Sequence, residues 1–146
     1  MDTIQKGFTI IELLLLIALL LILGTMTTAF TGRFLTQNAV ENSTDQLVNE
    51  LRKAQLNTMM GKSNSHWGVN YGSNAITLYK GNSYATRVTA VDEVFTVNVN
   101  ILISGLTDIN YWPTNGTPSA TATITITDNK GSTNQIVVNN QGMVTR

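Results

Sequence analysis

Apolar positions dominate the chain from Phe8 to Phe30, in the run FTIIELLLLIALLLILGTMTTAF, and no polar side chain interrupts Leu13 to Leu23. Such a run is apolar on every face of a helix, and about 20 residues of this kind cross the hydrocarbon core of a bilayer. The pattern therefore predicts a spanning helix. From Gly32 it turns amphipathic. Leu47, Leu51 and Ala54 fall at i, i+4 and i+7, Val40 and Thr58 lie close to the same stripe, and Glu41, Asp45, Glu50, Arg52 and Lys53 lie off it. No proline occurs before Pro113, and Gly61, followed by Lys62-Ser63-Asn64-Ser65, supplies a stop. One helix from Phe8 to about Met60 would be roughly 80 Å long at 1.5 Å per residue.

From His66 onward the period is two. Phe95, Val97, Val99, Ile101 and Ile103 alternate with Thr96, Asn98, Asn100 and Leu102, which predicts one half-buried strand. Ala122, Ile124 and Ile126 alternate with threonines, and Asp128-Asn129-Lys130-Gly131 turns the chain before Gln135 to Val138, a hairpin. A second hairpin joins Trp67–Tyr71 to Ile76–Lys80 through Gly72-Ser73-Asn74. The expected architecture is α+β: a long N-terminal helix, its first half transmembrane, packed against a C-terminal antiparallel β-sheet domain. It divides into 1–7, a leader; 8–30, the transmembrane and assembly helix; 31–60, the amphipathic second half; and 61–146, a β-rich head.

Composition removes several function classes. Nine basic and nine acidic residues balance, so no broad attraction to nucleic acid or anionic lipid is expected. Without cysteine there are no disulfides, thiolate metal sites or thiol nucleophiles, and one histidine, His66, excludes a multi-histidine metal centre.

Three readings fit the apolar run: a plain membrane anchor, a secretory signal cut after Ala29 with Thr27 and Ala29 as its small residues, or a leader of another kind. Glu12 separates them. An acid costs roughly 2.5–3.5 kcal/mol at a membrane helix centre, less near its end, and normally has a partner. A cut between Gly7 and Phe8 would supply one. The Phe8 ammonium would stand four residues from Glu12, about 6 Å of rise away. Pairing with a neighbouring subunit's terminus would set an axial register, as buried polar groups do in coiled coils.

The segment KGFTIIELLLLIALLLILG closely resembles the leader and helix start of type IV pilins and type II secretion pseudopilins. The resemblance implies that Lys6, Gly7 and Phe8 form the cleavage site of a prepilin peptidase, that Phe8 is N-methylated, and that Glu12 is the assembly carboxylate. It also implies a single-pass protein of the bacterial inner membrane, N-terminus cytoplasmic and anchored through residues 8–30, that later enters a pilus or pseudopilus. The chain departs from many major pilins in having no proline at Ala29; Gly24 and Gly32 are its only weak points there. RKAQLNTMMGK, HWGVNY, INYWPTNGTPSATATITI and NQIVVNNQGMVTR resemble the H-type minor pseudopilins and related FimT-like minor pilins. Some FimT-like proteins bind DNA through a basic tail; this chain offers only Arg146 there, with Lys130 before it, so charge does not support DNA uptake. The partners so implied are other pilin or pseudopilin subunits and the peptidase, with no cofactor and no small-molecule substrate. The rival class is a membrane-anchored β-domain that binds DNA, a surface or a secreted substrate.

No catalytic constellation appears. Asp92 or Asp108 beside His66 would need a nucleophile motif that is missing, and His66 reads as a strand-edge residue next to Trp67. Asp92-Glu93 reads as a solvated loop. Asn42-Ser43-Thr44 and Asn115-Gly116-Thr117 match the glycosylation sequon and are assigned no role. Tyr111 and Trp112, with Pro113, read equally as a contact patch between subunits or as core.

Overall fold

The structure, a computed structural model, describes residues 7–146, with the side chains at 26–37 and at Ser63 excepted. Lys6 and the rest of the expected leader before Gly7 lie outside the described residues, as do the side chains of Thr27, Ala29 and Phe30. The chain forms two compact units, Met1–Leu35 and Thr36–Arg146.

Helical backbone, α1 (Ile10–Met59), occurs in both units, and its described side chains fall into two short stretches, residues 10–25 and 38–59. Their chemistry is opposite. In the first, large apolar side chains are exposed on every side, from Ile10 at 83% to Ile17 at 45%. In the second, the stripe expected from the sequence is core: Val40, Leu47, Leu51, Ala54 and Thr58 are all buried, joined by Thr44, Val48 and Asn57. Glu50, expected off the stripe, is buried as well. The helix ends as expected, with Gly61 left-handed at φ 63° and its N–H donating to the Thr58 carbonyl at 3.0 Å.

The expectation of a long helix, transmembrane in its first half and packed on one sheet domain, is overturned. Among the described residues no helix is long and apolar enough to cross a membrane. The single-pass inner-membrane assignment through residues 8–30 falls with it. Among the described side chains of α1, those at 38–59 carry the buried stripe.

The second unit holds two four-stranded antiparallel sheets. The first contains β1 (Trp67–Gly72), β2 (Ala75–Lys80), β3 (Glu93–Thr96) and β5 (Asp108–Tyr111), ordered β3-β2-β1-β5. The second contains β4 (Ile101–Ser104), β6 (Ala122–Asp128), β7 (Thr133–Val138) and β8 (Val144–Thr145), ordered β4-β6-β7-β8. Both hairpins form. β1 and β2 pair from Trp67↔Lys80 to Gly72↔Ala75 across Ser73 and Asn74, at φ 53° and 56°, the two positive values that a two-residue type I′ turn requires. β6 and β7 pair from Ala122↔Val138 to Thr127↔Thr133.

The single strand expected over Phe95–Ile103 is two. β3 ends at Thr96 in one sheet and β4 starts at Ile101 in the other. Between them the Asn98 carbonyl accepts from Ile101 N–H at 2.9 Å, and its side-chain Oδ1 accepts from Asn100 N–H at 2.9 Å. Two asparagines thus close a turn that the unbroken alternation conceals. One core joins the helix stripe to both sheets, through Val69, Ile76, Leu78, Ile109 and Tyr111 on one side and Ile103, Ile124, Ile126, Ile136 and Val138 on the other.

Polar bonds tie the 38–59 stretch to each sheet. Thr58 Oγ1 accepts from Trp67 N–H at 2.9 Å, and Lys53 pairs with Glu93 of β3. Arg52 donates to the Val144 carbonyl at 3.2 Å, and Asn134 Nδ2 donates to Thr44 Oγ1 at 3.2 Å. Gln55 Nε2 donates to the Gly116 carbonyl at 3.0 Å and to the Gln141 carbonyl at 3.2 Å, linking one loop from each sheet.

Candidate assembly surface

Helix α1 begins at a built cap. The Thr9 carbonyl accepts the first helical bond, from Leu13 N–H at 3.1 Å, while Thr9 Oγ1 accepts from Glu12 N–H at 3.3 Å. Thr9-Ile10-Ile11-Glu12 is therefore a capping-box sequence with Glu12 at its third helical position, a signal in the sequence that the family reading passed over. An acid in the first turn is also favoured by the helix dipole, typically by 0.3–1 kcal/mol. Glu12 has a local reason to be acidic, besides any partner from another chain.

Around that start the surface is apolar. Phe8 is 77% exposed, and Ile10, Ile11 and every leucine and isoleucine from Leu13 to Leu23 are exposed. Among the described residues nothing lies within 4 Å of the place a Cβ at Gly7 would occupy.

The other expected residues lie in the second unit. Tyr111 and Trp112 part company: Tyr111 is wholly buried, and its hydroxyl has no partner, so burial pushes its pKa up. Trp112 is 52% exposed, which leaves it alone of the two to meet another molecule. His66 packs edge-on against Trp112, ring centroids 5.1 Å apart.

Asp92-Glu93 is not a solvated loop. Asp92 accepts from Arg87 Nε at 2.7 Å, and Glu93 on β3 pairs with Lys53. Arg87 also lies over the Tyr84 ring at 3.8 Å, which secures the segment between β2 and β3. Asp108 accepts from the Tyr79 hydroxyl and from Tyr84 N–H at 3.0 Å, and so is structural. Arg146 is held intramolecularly by Glu41 and by Asp45, the latter at 2.9 Å. Among the described residues no cluster of metal-ligating side chains occurs.

Glu50 is the buried acid that sequence reasoning missed. Gln46 Nε2 donates to one of its oxygens at 2.9 Å, and the other has no partner. Burial holds its carboxyl above the ordinary value, the nearby Lys53 opposing this and Glu93 adding to it. The helical period alone places Glu50 beside Leu47 and Leu51, but charge argued the other way.

The chain matches no protein-family model, no curated protein and no solved structure.

Proposed function

We propose that the chain is a structural subunit of a pilin-like fibre, of the minor pilin or pseudopilin kind, and that it matures by cleavage between Gly7 and Phe8. The observation that carries this reading is the exposed apolar surface from Phe8 to Leu23 with Glu12 in its first turn. Left in water, that surface is a large free-energy cost, at roughly 25 cal/mol per Å² of apolar area. The same segment in neighbouring subunits is its natural cover, because a helix apolar all round packs equally on every side. A machine of the type IV pilus, type II secretion or competence class would hold such a subunit, with a prepilin peptidase acting on it as substrate.

Within the bundle Glu12 would accept from the Phe8 ammonium of a neighbour, a charge-assisted bond strengthened by the apolar surroundings. The capping box allows this to be separated from a purely local role. Glutamine serves as well as glutamate at the third position of such a box but carries no charge. Glu12→Gln should keep the helix start, read by circular dichroism, and lose incorporation into fibres. Normal incorporation of Glu12→Gln would overturn the ion-pair mechanism. Mass spectrometry of the mature protein should find methylated Phe8 first; a chain still starting at Met1, or starting after Ala29, would overturn the proposal.

A further inference from the structure

Beside β5 lies a pocket of about 250 Å³ lined by His66, Asn82, Asn110, Trp112 and Ser119. Its wall is rigid. Trp112 N–H donates to the Thr117 carbonyl and Gly116 N–H to the Trp112 carbonyl, both at 2.9 Å, so the loop bearing the indole is closed on itself. Asn110 N–H donates to Ser119 Oγ at 3.2 Å, Ser119 N–H donates to the Asn110 carbonyl at 2.7 Å, and the Asn110 amide donates to the Asn82 carbonyl.

Hydrogen-bonding capacity is left over. Among the described residues the Ser119 hydroxyl hydrogen, the Trp112 indole N–H and both His66 ring nitrogens have no partner. Half of the Trp112 surface is open to solvent while the adjacent Tyr111 is fully buried. A neutral polar rim against one rigid, half-open aromatic ring defines a ligand with an apolar face and a hydroxylated edge.

We propose that this pocket binds a neutral saccharide, one sugar ring laying its C–H face on Trp112 while its hydroxyls meet Ser119, His66 and the Asn82–Asn110 pair. At about 250 Å³ the volume falls just below the usual range for ligand pockets, roughly 300–1,000 Å³, and so has room for a single ring at most. No Lys, Arg, Asp or Glu lines it, so a phosphodiester would find no counter-charge there, and a nucleic acid is disfavoured.

The test is ligand-observed saturation-transfer NMR on the full chain with glucose, galactose, mannose and N-acetylglucosamine in turn. At least one should give a saturable signal, with a Kd of about millimolar order, as one ring in an open pocket implies. Trp112→Ala should weaken that binding at least about tenfold, and Ser119→Ala about three- to fivefold by removing one donor. Thermal unfolding establishes that each variant is folded; should Trp112→Ala unfold, Ser119→Ala decides. Absence of saturable binding by all four sugars, undiminished binding in the folded variants, or full displacement by a thymidine oligonucleotide would overturn the proposal.

Discussion

Gly105 follows β4 with φ +83°, and Gly131 sits in the β6–β7 turn with φ +88°. Alanine at either site must adopt a left-handed backbone, at a cost of about 1–2 kcal/mol. The surroundings differ. A Cβ at Gly131 would have nothing within 4 Å. At Gly105 it would fall well inside van der Waals contact of the Thr123 carbonyl oxygen, 3.2 Å from that carbonyl's carbon and 3.4 Å from Ile124 Cα. These are backbone atoms of β6, which is held on both sides by β4 and β7, so no flexible side chain can yield. Overpacking of a fixed site costs about 1–3 kcal/mol more. Gly131→Ala should therefore cost about 1–2 kcal/mol and Gly105→Ala about 2–5 kcal/mol, a sizeable part of a stability of roughly 5–15 kcal/mol. Urea unfolding followed by fluorescence of the buried Trp67 measures both. With a slope of about 1–3 kcal/mol per molar urea, the two midpoints should differ by about 1 M. Equal midpoints would refute the close approach of Gly105 to the central strand.

Leu51 is wholly buried in the stripe shared with both sheets. Leu51→Ala should cost about 3–5 kcal/mol in the same assay, against less than about 0.5 kcal/mol for an exposed substitution such as Asn49→Ala. Glu50→Gln should stabilise the protein at neutral pH. Because the folded-state pKa of Glu50 is raised, its contribution is full below the unfolded-state value near 4.5 and is lost as pH rises through the folded value. Stability of the Gln variant measured by urea unfolding from pH 4 to 8 should lack that decline; a parallel pH profile would contradict it.

The amphipathic helix and both hairpins were legible because each rests on local periodicity or turn chemistry. Leu47, Leu51 and Ala54 announce their face by spacing alone, and Ser73-Asn74 tolerate the left-handed pair that their turn needs. What the sequence concealed depends on distant partners. β5 is four residues, with a Pro close behind, and is a strand because Trp67↔Tyr111 and Val69↔Ile109 pair it with β1. Alternation through Val97–Asn100 disguised a change of sheet, since a turn that keeps the parity of inward positions leaves no mark on the period. Of the candidate site, Glu12 was legible by its isolation among apolar residues. The pocket at Trp112 was not, because His66, Asn82, Asn110 and Ser119 meet only through the pairing of β1 with β5 and the loop that follows.

The order in which the chain visits its two sheets has a mechanical corollary. After β3 it leaves the first sheet for β4, returns for β5, and leaves again for β6, so the halves are laced together by three successive crossings. Because β4 lies between β3 and β5 in the chain, a nick between Ser104 and Asp108 would divide both sheets. Such lacing delays folding, since remote segments must find one another first. Once complete, it lets tension entering at one strand spread across the whole weave rather than peel away a single layer.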